Sequence, residues 1–221
     1  MEVSQEKIIK IQRWWRKYNL DFLRDIKKCL DNLTPNNLQE ISNKCHAIQT
    51  ACRGDGNGLL SGGLIDMVLS DFFEENIPGY EKNHCGESDM KIKGTPLSLK
   101  KISGKSTCAL NWSKNGCNYT KENFVVPICI INLKSQRWWK TKPTNGISKV
   151  KYNDIIPRGI FLIDNQFCKH RVKLAKNNKT NTLIESQYLY IMLKRSIGLK
   201  CFIELPPPKD ITFKILNAFS E

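Results

Sequence analysis

A chain of 221 residues and 25.5 kDa with 40% hydrophobic residues suits one compact globular domain with a full core. No apolar run approaches the roughly 20 residues that span a bilayer, and the polar stretch 1–10 is no secretory signal. A membrane protein and an exported one are therefore not expected, and a cytoplasmic protein is. The formal charge of +14 is unevenly spread: residues 1–57 hold ten Lys/Arg against seven Asp/Glu, residues 58–90 one against seven, and residues 91–221 twenty-four against seven. An acidic island followed by a long basic body predicts a cation site set in a surface for a polyanion.

Residues 5–31 read as a helix, with Ile8, Ile11, Trp15, Leu20, Phe22, Leu23 and Ile26 at apolar positions. Ile11-Gln12 with Arg16 matches only the start of an IQ motif. Its later Gly and Arg are missing, so calmodulin is not an expected partner. Thr34-Pro35 is an N-cap and N1 pair that opens a second helix running to about residue 52. After the turn Arg53-Gly-Asp-Gly-Asn-Gly58 comes a third helix, 59–75. Its apolar face carries Leu60, Leu64, Ile65, Val68, Leu69 and Phe72, and Asp66, Ser70 and Glu74 fall on the opposite face.

From residue 80 the pattern becomes strand-like, with main strands at 88–93, 96–103, 125–133 and 160–167. A helix at about 183–196 and a strand at 199–205 follow, the last stopped by Pro206-Pro207-Pro208. The expected fold class is α/β (α+β), a mixed sheet flanked by helices. Residues 1–57 form an N-terminal helical region and 58–221 the core, expected by length to be parts of one compact domain. The nine cysteines include no C-x-x-C pair. Cys45-His46, His84-Cys85 and Cys168 with His170 lack structural zinc spacing, so reduced, buried thiols are expected.

The hairpin at 87–103 carries the chemistry. Gly94-Thr95 serves as a two-residue loop, since Gly tolerates positive φ. Lys93 then pairs with Pro96, Ile92 with Leu97, Lys91 with Ser98, Met90 with Leu99 and Asp89 with Lys100. The apolar residues gather on one face, and Asp89, Ser98 and Lys100 on the other. A carboxylate to hold a divalent cation and an ammonium beside it suit phosphodiester hydrolysis. The same pair also suits a plain cross-strand ion pair.

Ser88-Asp89, a short turn, then Ser98-Leu99-Lys100 resembles the PD-(D/E)XK nucleases, which include many type II restriction endonucleases. Ser88 stands where the family has proline, and Ser98 where it has its middle acid. The Gln or Asn variants of some four-base cutters are similar to this pattern. The resemblance covers about residues 58–106. It implies a restriction-endonuclease-like core, Mg2+ with Mn2+ as a substitute, and duplex DNA as substrate cut to 5′-phosphate ends. It gives Asp89, Lys100 and Ser98 catalytic roles. Metal ligands come from Asp89 and the Leu99 carbonyl, with Asp66 in Gly63-Leu-Ile-Asp66 or Glu87 supplying another carboxylate. Cutting both strands implies a homodimer or two sequential nicks.

In the basic half, Gly104-Lys105-Ser106 is no P-loop, because the upstream glycine would fall at Leu99. Lys101, Lys105, Ser106 and Lys114 are expected near the backbone of DNA. Within Lys134–Lys142, Gln136 and Arg137 can reach base edges, with Lys140 and Lys142 on phosphates. His170 and Arg171 form a second candidate contact. His170 is not expected as a catalytic base, because three scattered histidines make no His-Asn-type nuclease. The alternative is a non-catalytic nucleic-acid-binding protein in which Ser98 marks a degenerate site.

Overall fold

The computed structural model describes residues 23–52, 58–82, 88–102, 110–113, 128–133, 135–137, 155–164, 173–174, 181–184 and 186–209. Helix α1 is described over 23–30 and leads into α2, Pro35–Ala51. Thr34 caps α2 reciprocally with Asn37. Its Oγ1 accepts from the Asn37 amide at 3.2 Å, and its own amide donates to Asn37 Oδ1 at 2.9 Å. Pro35 at the first helical position loses no hydrogen bond. Helix α3, Gly58–Asn76, ends before Pro78-Gly79, where Gly79 takes φ +76°.

The expected mixed sheet flanked by helices is what this chain forms. Strands β1 (Tyr80–Lys82), β2 (Met90–Ile92) and β3 (Thr95–Ile102) are antiparallel neighbours. β4 (Leu110–Ser113) lies in another sheet, and β5 (Ile128–Asn132) pairs parallel with β3. β6 (Gln136–Arg137) and β7 (Ile155–Ile156) pair with each other, and β8 (Gly159–Ile163) runs antiparallel to β5. β9 (Lys173–Leu174), β10 (Asn181–Ile184) and β4 form a three-stranded sheet in the order β4-β10-β9. Helix α4, Ser186–Gly198, precedes β11 (Phe202–Glu204), which completes the six-stranded order β1-β2-β3-β5-β8-β11.

β5 and β8 are buried along their whole length, as near-continuous apolar strands between two layers should be. On one face Leu97, Leu99, Cys129, Ile131, Ile160 and Leu162 pack against α1 to α3. On the other, Ile102, Ile128, Ile130, Phe161 and Ile163 pack against α4. Residues 23–52 thus share one core with the sheet. No helix among the described residues is long and apolar enough to cross a membrane. Burial pushes the Cys45 and Cys129 thiols up to about 12.

Three expectations are corrected. Residues 181–184 form β10, and the helix begins at Ser186 rather than about 183, because the Thr182-Leu183-Ile184 run is laddered to β4 and β9. Residues 199–201 belong to the cap of α4, so the last strand is shorter than 199–205. Lys200 adopts φ +58°, its amide reaches the Ile197 carbonyl at 3.0 Å, and the Cys201 amide reaches that of Ser196 at 2.9 Å. That is a Schellman closure with lysine in glycine's usual place. Leu64, expected on the apolar face of α3, is exposed together with Met67. The buried stripe is Ile65, Leu69, Phe72 and Phe73.

The two ends of the helical layer are tied to the sheet. Lys82 on β1 pairs with Asp71 at 2.9 Å and Glu74 at 2.5 Å on α3, and Ser70 shares a 2.7 Å hydrogen bond with Tyr80. Ser42 on α2 donates to the Pro206 carbonyl at 2.6 Å and accepts from Arg158 Nη2 at 2.7 Å, which straps the chain after β11 across the helix. Gly159 sits where a Cβ would overlap the Phe202 ring and the Ile203 carbonyl. Because the carbonyl belongs to the paired backbone of β11, Gly159→Ala should destabilise the fold by about 1–3 kcal/mol. A denaturant midpoint unchanged from wild type would contradict that packing.

Candidate active site

The hairpin register differs from the expected one by two residues. Lys93 and Gly94 are the central pair, at φ +50° and +73°, as a type I′ turn requires. Met90 therefore faces Leu97, Lys91 faces Pro96 and Ile92 faces Thr95. Thr95 is β-branched and joins the strand instead of bending. A slip of two leaves every side chain on its expected face. It brings Asp89 level with Ser98 rather than with Lys100.

The β2–β3 ladder ends at the bond from the Asp89 amide to the Leu97 carbonyl, 3.0 Å. One step on, the Asp89 side chain replaces the missing strand. Its Oδ2 accepts from the Leu99 amide at 2.6 Å and from Ser98 Oγ at 3.1 Å. Lys100 Nζ lies 3.7 Å from the same oxygen. Among the described residues nothing donates to Oδ1. The Asp89 side chain is 45% exposed and that of Lys100 22%, whereas Ser98 is 1% exposed. The acid opens to solvent, the amine is partly covered, and the hydroxyl beneath them is sealed. Asp89, Ser98 and Lys100 are brought together.

Asp66 joins them from α3. Its carboxyl is pushed up to about 6 by burial, which outweighs the attraction of Lys100 and Lys101, while Asp89 adds repulsion. Among the described residues no donor reaches it. The N–H and C=O of one strand residue point the same way. The Leu99 carbonyl therefore faces the notch that its amide faces. Among the described residues the cation donors at hand are thus two carboxylates and one carbonyl. Among the described residues no group of three His, Cys, Asp or Glu forms a metal cage. Mg2+ does not need one, since it commonly takes one or two carboxylates and keeps its waters. A half-buried acid and an Oδ1 that meet no hydrogen-bond donor among the described residues fit such a cation.

Lys101 is half-buried. Alternation along β3 turns it away from Lys100 toward the helices, where burial lowers its pKa and the nearby Asp66 carboxyl opposes that shift. Gln136 and Arg137 are placed by backbone alone, on β6. Glu87, Lys105, Ser106, Lys114, Lys140, Lys142, His170 and Arg171 lie outside the described residues. The Leu99 amide was not legible as a functional group, because a backbone donor leaves no mark in residue type.

No protein-family model matches the chain, and no curated protein matches it. A solved structure of a restriction endonuclease in complex with substrate DNA aligns over 90% of this chain and 97% of that one, at 16% identity and a TM-score of 0.44. A likeness of that size fixes neither family nor chemistry.

Proposed function

We propose that the chain is a Mg2+-dependent endonuclease of the PD-(D/E)XK type that cuts duplex DNA at specific sequences and leaves 5′-phosphate ends, with Mn2+ able to substitute. The observation that supports this best is the meeting of Asp89 and Lys100 at 3.7 Å, with the Asp66 carboxyl within electrostatic reach of both. Asp66 on α3, Asp89 just before β2 and Lys100 on β3 are three interacting charged groups, where a surface ion pair would need only two.

Asp89 and Asp66, with the Leu99 carbonyl, would hold the cation. When bound, the ion neutralises charge on a phosphate and lowers the pKa of water. The chain's own part is positioning. The Leu99 amide and Ser98 fix Asp89, and Lys100 offers its ammonium to the same space. There it can orient an attacking water and stabilise negative charge gathering on the phosphate oxygens. The basic body after residue 90, with twenty-four Lys/Arg against seven acids, would hold the DNA backbone. Lys105, Ser106, Lys114, Lys140 and Lys142 are proposed for that task. Gln136, Arg137, His170 and Arg171 are proposed for base edges, and a homodimer for cutting both strands.

One observation favours the second reading, a DNA-binding protein without catalysis. The residue in the middle-acid position is a serine whose hydroxyl is already engaged with Asp89. Incubating plasmid DNA with the protein separates the two readings. Discrete fragments in Mg2+ and none in EDTA are expected. Retardation on a gel with no cutting in Mg2+ or Mn2+ would leave the binding protein standing.

A further inference from the structure

We propose that Ser98 is a positioning residue and not a cation ligand: its buried hydroxyl fixes Asp89 through Oδ2 so that Oδ1 alone is presented to the cation. The inference rests on the metal reading of the notch and adds which atom binds and why serine stands there.

The geometry is asymmetric. Ser98 Oγ at 3.1 Å, the Leu99 amide at 2.6 Å and Lys100 Nζ at 3.7 Å all address Oδ2. A carboxylate oxygen has about two lone-pair sites. Two hydrogen bonds fill them, and the ammonium adds its charge, so little capacity is left there. Among the described residues Oδ1 has no donor, and the side chain is 45% open to solvent. The side chain is thereby held at one end by β3, and Oδ1 is the oxygen that keeps its capacity for a cation.

Ser98 could act as a ligand only if its oxygen faced the same space. It is 1% exposed, pairs in register with Ile128 on β5, and turns its proton toward Asp89. An acid in this position would accept a cation. This hydroxyl donates instead. The exchange removes one negative ligand and puts in its place a constraint on the ligand that remains. Two chain carboxylates, Asp89 and Asp66, are then the whole anionic contribution from the described residues.

The test measures Mn2+ binding to the full chain by electron paramagnetic resonance, without DNA. Ser98→Ala should weaken binding about 10–100-fold, as loss of a partner that orients a ligand typically does, while Ser98→Thr should stay within about threefold of wild type. Melting curves in EDTA confirm that each variant is folded. Ser98→Cys is then titrated with Cd2+. A direct ligand turned into a thiol would bind this soft ion more tightly than wild type does, and a positioning residue gives no gain. Wild-type Mn2+ affinity in Ser98→Ala overturns the inference, and so does a Cd2+ gain in Ser98→Cys. If wild type binds Mn2+ with the expected dependence on Ser98 but cuts no DNA, the nuclease reading alone fails. If wild type binds no Mn2+, the inference falls with the metal site.

Discussion

Replacing Lys100 with Ala should lower Mg2+-dependent cutting of plasmid DNA by about 10²–10³-fold, while the protein folds, binds the cation and retards DNA as before. The separation of these effects follows from the hydrogen bonds. Asp89 is held by the Leu99 amide and Ser98, neither of which needs the ammonium. Loss of Lys100 therefore removes charge from the reaction space without releasing the carboxylate. Lys100→Arg should not restore the rate, because a planar guanidinium cannot take the place of a compact ammonium 3.7 Å from Oδ2. Asp89→Ala should abolish cutting as well, but with an added cost to stability. It leaves the sealed Ser98 hydroxyl and the Leu99 amide without their acceptor, each worth about 1–3 kcal/mol when buried. Single-turnover cleavage beside gel binding in Ca2+ reads both effects. Wild-type cutting by Lys100→Ala would reduce the pair to a surface salt bridge worth about 0–1 kcal/mol.

That this notch could be anticipated at all comes from the period of a strand. Alternation alone put Asp89, Ser98 and Lys100 on one face and Met90, Ile92, Leu97 and Leu99 on the other. The turn residue was a different matter. Both candidate loops contain Gly94, and the choice between Lys93-Gly94 and Gly94-Thr95 depends on whether lysine accepts φ +50° more easily than threonine leaves the strand. Because the resulting slip is two residues, the faces survived an incorrect register. A slip of one would have sent Asp89 into the core.

What covers a face is less legible than which face it is. Helical spacing set Asp66 opposite the apolar stripe of α3, where solvent is the ordinary neighbour. Its actual charged neighbours are Lys100 and Asp89 at the notch, and Lys101 on the opposite face of β3. Leu64 shows the reverse case, an apolar residue left 40% exposed. Strands β6, β7 and β9 hold two residues each and exist through their partners, so no periodicity could announce them. β5 and β8, by contrast, are long apolar runs and were plain from composition.

Asp66 should be a liability to the fold without metal and necessary to the function with it. Its carboxyl is raised from 3.8 to about 6 by burial. Between about pH 4 and pH 6 the native state keeps a proton that the unfolded chain has already lost, so stability falls as pH rises through that window. Above pH 6 the folded protein carries a half-buried charge with no hydrogen-bond donor among the described residues. Asp66→Asn removes that charge at nearly constant shape. Raising a carboxyl that far costs the ionised form about 3 kcal/mol at most, and partial solvation reduces this, so a gain of about 1–3 kcal/mol is expected at pH 8 in EDTA and none below pH 4. For a chain of this length that is a rise in Tm of roughly 2–10 °C. Excess Mg2+ should reverse the order, because a ligand that binds only the native state stabilises wild type and finds one carboxylate fewer in the variant. Cutting should fall with it. An Asp66→Asn protein that melts no higher than wild type in EDTA at pH 8 would show the carboxylate to be solvated. One that also gained stability from Mg2+ as wild type does would place Asp66 outside the cation site.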